Sequence, residues 1–168
     1  MSLLWDLYWP VIVAAAVAGV IAGAVGFRRR KRGRWALATG VGAILAIAWV
    51  WHGPVGTGSR FASSVERQTR QVLVDFEMEM VRAVVERGPL SRTLVLSGPA
   101  DNFQRGELVR ILNEVPGVAN VRWANSSPGF TLPMLLEVEL AALLSFGLGL
   151  LLAYLIELRR RSNAQWSW

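Results

Sequence analysis

The chain has 168 residues, 53% of them hydrophobic, and a formal net charge of +6. This apolar share is high for a soluble domain, and the lack of cysteine excludes disulfides, thiolate nucleophiles and cysteine-ligated metals. Residues 53–133 carry nine basic and eight acidic side chains, so the positive excess lies outside that segment. Because the charge is not spread over one surface, we expect no nucleic-acid partner.

Three apolar segments predict three transmembrane helices, at about residues 7–27, 35–51 and 134–158. A bilayer core requires about 20 apolar residues, so the second segment is short. We therefore expect an N-terminal hairpin over residues 1–52, and a third transmembrane helix with a basic tail over residues 134–168.

Nine basic residues flank these segments and predict their orientation. Six lie between the first two segments and three follow the third: Arg28, Arg29, Arg30, Lys31, Arg32, Arg34, Arg159, Arg160 and Arg161. Basic clusters mark cytoplasmic ends and attract anionic lipids. We therefore predict a multi-pass protein of a bacterial inner membrane, with the 28–34 loop and the C-terminus cytoplasmic and the N-terminus and residues 53–133 periplasmic. Because the first cluster follows its apolar segment, we expect a retained helix and not a cleaved signal peptide.

Small residues recur every four positions within the apolar segments. The candidate helix-packing residues are Ala15, Gly19, Gly23, Gly40, Ser145, Gly149 and Ala153. Such stripes let helix backbones approach closely in lipid. Two interpretations are open: the stripes pack the three helices against one another, or at least one of them docks another membrane subunit.

The first half of the segment between the second and third spans predicts a linker and a helix. Residues 53–62 are rich in glycine and read as the linker. Ser63 and Glu66 form a capping-box pattern, and Gly88-Pro89 would end the helix, which gives a helix over residues 63–87. Its apolar face is Val65, Val72, Phe76, Met80 and Val84.

The second half predicts a strand, a helix and a strand. A β-type run covers Thr93 to Ser97, and Asp101 with Gln104 can cap a second helix. The buried stripe of that helix would be Leu108, Ile111, Leu112 and Val115. A strand at residues 118–123 follows, and residues 126–133 form a second linker. The fold class is therefore membrane α-helical, with three transmembrane helices and a small α/β extramembrane domain, residues 63–125, between the second and third.

The stretch LVLSGPADNFQRGELVRILNEVPGVANVRW resembles a BON domain, the small α/β module of OsmY-like periplasmic proteins. The resemblance rests on the strand before Ser97-Gly98, the helix after it, and Gly117-Val118 followed by Val121. With the preceding helix it covers about 60 residues. It implies binding to phospholipid surfaces or envelope proteins, and no catalysis. The single copy, tethered by membrane helices at both ends, favours a fixed protein contact.

His52 is the only histidine and the only candidate cofactor-binding residue. With Ala48 one turn earlier, it could ligate a haem or chlorophyll-type macrocycle. The alternative, which we favour, is an interfacial histidine at the C-terminus of a helix, where the helix dipole accommodates its charge. We therefore expect structural lipids and no other cofactor, and the sequence shows no metal motif.

No combination of residues in the sequence specifies a reaction, so we expect no enzyme. The favoured hypothesis is a non-catalytic accessory or scaffold subunit whose partners are membrane lipids and other integral membrane proteins. One alternative is an accessory subunit of a photosynthetic or respiratory supercomplex near pigment or haem subunits. Another is a subunit of an oligomeric pore or transporter.

Overall fold

The computed structural model describes residues 3–28, 33–127, 129 and 131–165. In chain order its elements are α1 (Leu3–Arg28), α2 (Gly33–His52), α3 (Thr57–Asp75), β1 (Arg82–Arg87), β2 (Leu90–Ser97), α4 (Asn102–Leu112), β3 (Asn120–Trp123) and α5 (Met134–Gln165). The chain divides into two compact units. The α/β module comprises Met1–Leu7 and Val55–Leu136, and the helical unit comprises Tyr8–Pro54 and Glu137–Trp168.

Three helices are long and apolar enough to cross a bilayer, at Leu3–Phe27, Gly33–His52 and Met134–Asn163. They confirm the number and order of the predicted spans, and each is longer than its predicted segment. At a rise of about 1.5 Å per residue, the shortest of them reaches about 30 Å, which matches the thickness of a bilayer core.

A three-stranded mixed sheet forms the centre of the α/β module. The strand order is β1-β2-β3, with β1 antiparallel and β3 parallel to the central β2. Leu94 and Leu96 of β2 are fully buried, and Val85 of β1 and Val121 of β3 are nearly so. Helix α3 packs against β1, and α4 packs against β3. These contacts give the module a single core.

The prediction of a linker over residues 53–62 is wrong, because α3 begins at Thr57. Ser63 is therefore inside the helix, where its hydroxyl donates to the Ser59 carbonyl oxygen, 2.8 Å away. The buried face of α3 comprises Thr57, Gly58, Phe61, Ala62, Val65, Thr69 and Leu73. Two threonines and a glycine within this face weaken its apolar periodicity, which explains why the sequence did not place the start of the helix.

The prediction of one helix through residue 87 is also wrong, because α3 ends at Asp75. Glu77 takes a left-handed conformation with φ of 58°. Its N–H donates to the Val74 carbonyl, and the Met78 N–H donates to the Leu73 carbonyl, as in a Schellman motif. Residues 82–87 then form β1, and Gly88-Pro89 is the turn into β2 and not a helix end.

The predicted capping box of the second helix is confirmed. The Asp101 carboxylate accepts the Gln104 N–H at 2.7 Å, and the Gln104 side chain accepts the Asp101 N–H at 3.0 Å. Leu108 and Leu112 are buried, as predicted. Arg105 lies over the Trp123 ring at 5.0 Å and thereby links α4 to β3.

We expect Thr93→Val to stabilise the α/β module. Thr93 is buried in β2, and its hydroxyl has no hydrogen-bond partner among the described residues. Replacing an unpartnered buried hydroxyl with a methyl group should raise the free energy of unfolding by about 1 kcal/mol. Hydrogen exchange of the β2 amides, followed by mass spectrometry in detergent micelles, measures the change. Thr93→Ser, which keeps the hydroxyl and removes the methyl, should lower stability, and a less stable valine variant would contradict the prediction.

Candidate functional site

The α/β module exposes a cluster of large apolar side chains. Phe76, Met80 and Phe103 are 54%, 79% and 77% exposed. Phe76 and Phe103 line one shallow groove with Met78, and Met78 also lines the adjoining groove beside Met80. We call Phe76, Met78, Met80 and Phe103 the apolar patch. Contiguous exposed apolar surface of this kind marks contact with a protein or a membrane.

Two hydrogen-bonded elements hold the patch in place. The Schellman motif at the end of α3 fixes the backbone at Glu77, and with it the positions of the neighbouring Phe76 and Met78. The Val81 N–H donates to the Met78 carbonyl at 3.0 Å and closes the turn before β1. The capping box at Asp101 begins α4 and sets Phe103 in its first turn.

Acidic side chains surround the patch. Asp75, Glu77 and Glu79 alternate with its residues and are exposed, and they form no ion pair within the part of the chain that the structure describes. Asp101 and Glu107 line the two grooves, and Arg110 binds the Glu107 carboxylate at 2.8 Å. An anionic lipid surface would be repelled by this rim, whereas a basic protein surface is complementary to it.

Sequence reasoning missed this patch. It placed Phe76 and Met80 on the buried face of a helix, although both are exposed in the turn after α3. The available signal was the alternation of apolar and acidic residues in FEMEM, which has a period of two and does not fit a helical stripe.

The small residues of α1 and α5 lie against each other in the helical unit. A Cβ added to Gly19 would overlap the carbonyl oxygen of Phe146, and a Cβ added to Gly149 would overlap the carbonyl oxygen of Ala16. The two backbones therefore meet at reciprocal glycines. This is the close approach that small residues permit in lipid.

Further small residues extend the contact between α1 and α5. A Cβ on Gly23 would lie 2.6 Å from the Cβ of Ala153. Ala15, on the same helix as Gly23, is fully buried. The Ser145 hydroxyl donates to the Ile12 carbonyl oxygen at 2.9 Å. The structure thus brings together five of the seven predicted packing residues along one helix pair: Gly19, Gly23, Ser145, Gly149 and Ala153.

Fewer of the small residues of α2 lie in close contact with another helix than those of α1 and α5 do. A Cβ on Gly40 would lie 2.9 Å from the Phe146 ring, whereas a Cβ on Gly42 would meet no atom within 4 Å. Docking of another subunit on such an open face stays a prediction.

His52 lies at the last residue of α2 and is bound to Tyr8. The Tyr8 hydroxyl and His52 Nδ1 are 2.7 Å apart, and the tautomer of the imidazole decides which of them donates. Ala48, which was expected to leave room for a macrocycle, has no exposed surface. The Tyr8 contact therefore joins α1 to α2, and ligation of a macrocycle by His52 stays a prediction.

The basic clusters are only partly described. Arg34 lies in the first turn of α2, and Arg159, Arg160 and Arg161 lie on the last turns of α5. Arg28 ends α1, and Arg29, Arg30, Lys31 and Arg32 lie outside the described residues. Arg161 pairs with Glu157 one turn earlier, at 3.1 Å.

Within the described ranges, no group of three or more histidine, aspartate or glutamate side chains is placed to hold a metal ion. No family model, curated protein or solved structure matches the chain. The resemblance to BON domains therefore stays a prediction. The fold, together with the length and apolarity of three helices, defines the class of protein. It is a helical membrane protein with three candidate spans and a small α/β module.

Proposed function

We propose that this chain is a non-catalytic accessory or scaffold subunit of a bacterial inner-membrane complex. Its three helices anchor the α/β module, and the module contacts another protein through the apolar patch. The observation that carries the proposal is the exposure of Phe76, Met80 and Phe103, which are the three most exposed large apolar side chains among the described residues of the module. A module this small loses stability by exposing large side chains, so a contact that covers them gives a physical reason for their presence.

The charges around the patch favour a protein over a bilayer as its partner. Glu77 and Glu79 stand between Phe76, Met78 and Met80, so an approaching surface meets carboxylates and apolar groups together. Bacterial membranes are rich in anionic lipids, which these carboxylates repel. A partner that presents an apolar group flanked by lysine or arginine satisfies both features.

The distribution of basic residues supports a periplasmic position for the module. Arg34 precedes the apolar part of α2, and Arg159–Arg161 follow the apolar part of α5. Both clusters then lie on the cytoplasmic side, and residues 53–133 lie on the opposite side.

Photo-cross-linking in intact membranes tests the proposal. A benzoylphenylalanine at position 103 should give a discrete protein adduct that co-purifies with the chain in stoichiometric amount. The same probe at Asn113, exposed at the other end of α4 about 15 Å away, is the matched control and should give none.

Charge reversal at the rim separates the proposed partner from lipid. Glu77→Lys with Glu79→Lys should reduce the adduct from position 103 at least about fivefold, because the rim then repels a basic partner. A protein contact at the patch would be refuted if the probe at position 103 linked only to lipid. It would also be refuted if the probe gave no adduct in either chain, with the native rim or with the reversed one.

A further inference from the structure

A second groove of the α/β module lies between α3 and β1 and is basic. Its volume is about 730 Å³, and its lining includes Arg67, Arg70 and Arg82. These three arginines are exposed and form no ion pair among the described residues. The one carboxylate in the lining, Glu66, is already engaged by Arg87 at 2.9 Å. The groove therefore offers three unneutralised cations.

Strand β1 forms one wall of this groove and is an edge strand, because only β2 pairs with it. The Val85 N–H points away from β2 and donates to Glu66 at 3.1 Å. In an antiparallel ladder, alternate residues direct their backbone groups to the same edge. Ala83, two residues earlier in the regular part of the ladder, therefore directs its N–H and C=O towards the groove.

The open part of the edge is short. On one side the Val81 N–H is bound to the Met78 carbonyl, and on the other the Val85 N–H is bound to Glu66. Ala83 remains between them as the residue that can exchange two backbone hydrogen bonds with an added strand. Three arginines line the same groove as Ala83: Arg67 and Arg70 on α3, and Arg82 on β1.

We infer that this groove binds a short, extended, acidic segment of a partner protein. One acidic residue of the segment pairs with Ala83 through both backbone groups, which puts its carboxylate on the face of the sheet that α3 covers, where Arg67 and Arg70 lie. Strand addition of this kind takes affinity from backbone bonds and specificity from side chains. The site is separate from the apolar patch and stands or falls independently of the function proposed for it.

A polypeptide fits this groove better than a lipid phosphate does. The exposed edge presents carbonyl oxygens beside the Ala83 N–H, and a phosphate can accept from the N–H and the arginines but cannot satisfy a carbonyl. An extended chain supplies a donor and an acceptor in the same spacing. The Glu66 carboxylate already accepts a hydrogen bond from the Val85 N–H, so this edge of β1 binds one carboxylate within the chain itself.

Fluorescence anisotropy with the full-length protein in neutral detergent micelles tests the inference. The probe is a labelled seven-residue peptide that alternates valine and aspartate, with blocked ends. Arg67→Gln with Arg70→Gln should weaken its binding at least about tenfold, because two charge-assisted contacts are lost. Arg110→Gln changes the charge on a different surface and should alter binding less than about twofold. A peptide with asparagine in place of aspartate should also bind at least about tenfold more weakly.

Backbone changes separate strand addition from simple charge attraction. Ala83→Pro removes the outward N–H and leaves the pairing of β1 with β2 intact, so it should abolish peptide binding without changing hydrogen exchange in β2. In the alternating peptide, either every valine amide or every aspartate amide faces the edge of β1. N-methylation of the edge-facing amides should therefore abolish binding, whereas N-methylation of the other amides should not. Equal binding of both methylated peptides would overturn the inference. The inference would also be overturned if the protein bound phosphatidylglycerol vesicles, lost that binding with Arg67→Gln and Arg70→Gln, and did not bind the peptide.

Discussion

Replacing Phe61 with alanine should lower the free energy of unfolding of the α/β module by about 3–5 kcal/mol. Phe61 has no exposed surface. Its ring lies where Gly117 brings the backbone close, since a Cβ on Gly117 would be 3.1 Å from a ring carbon. Gly117 has φ of +98°, so no other residue would fill the space at low cost. Small domains are stable by only a few kcal/mol, so this loss should largely unfold the module.

Hydrogen exchange of peptides from β2, in the full-length protein in detergent, measures the effect. Phe103→Ala is the matched control, because it makes the same truncation at a residue that is 77% exposed, and it should change β2 exchange little. Equal losses in the two variants, or no loss at position 61, would show that Phe61 is not in the core. The experiment also distinguishes a helix that begins at Thr57 from a flexible linker over residues 53–62.

Features with a strong local cause could be predicted from the sequence. The transmembrane segments follow from their length and apolarity, and α4 follows from the capping residues Asp101 and Gln104. The start of α3 could not be predicted because its burial is tertiary: Thr57 and Gly58 in the first turn are buried, which no single-sequence pattern indicates. The boundary between α3 and β1 was missed because a glutamate, Glu77, takes the left-handed position that usually signals itself by glycine.

The candidate sites depend on that same boundary. When residues 63–87 are read as one helix, Phe76 and Met80 fall on a buried face and Arg82 lies on a helix. Once the chain turns at Glu77, Phe76 and Met80 become exposed, and Arg82 joins Arg67 and Arg70 at one groove. Neither surface exists without the turn. The alternation in FEMEM was a sequence signal for the apolar patch. The three arginines of the groove carry no signature apart from their placement, so motif reading could not have found that site.

Replacing Gly149 with alanine should destabilise the packing of α1 against α5 by about 1–3 kcal/mol. The new Cβ would overlap the Ala16 carbonyl oxygen, which belongs to helical backbone and cannot rotate away. The helices must separate, and the Ser145 bond to the Ile12 carbonyl would lengthen with them. Because the chain has no cysteine, fluorophores can be placed specifically at Val25→Cys and Leu155→Cys, both exposed positions. Energy transfer between them during titration with a denaturing detergent reports the separation of the helices.

Gly147→Ala is the matched control on the same helix, since a Cβ there would meet no atom within 4 Å. This change should leave packing unaltered, or stabilise α5 slightly because alanine is the better helix former. If both alanine variants separate the helices equally, the effect comes from helix propensity and not from the contact with Ala16. If instead Gly149→Ala leaves α1 and α5 together but releases a co-purifying membrane subunit, the stripe on α5 serves the partner. The two interpretations of the small residues are thus separated by one substitution, because only an internal contact makes the distance between α1 and α5 depend on Gly149.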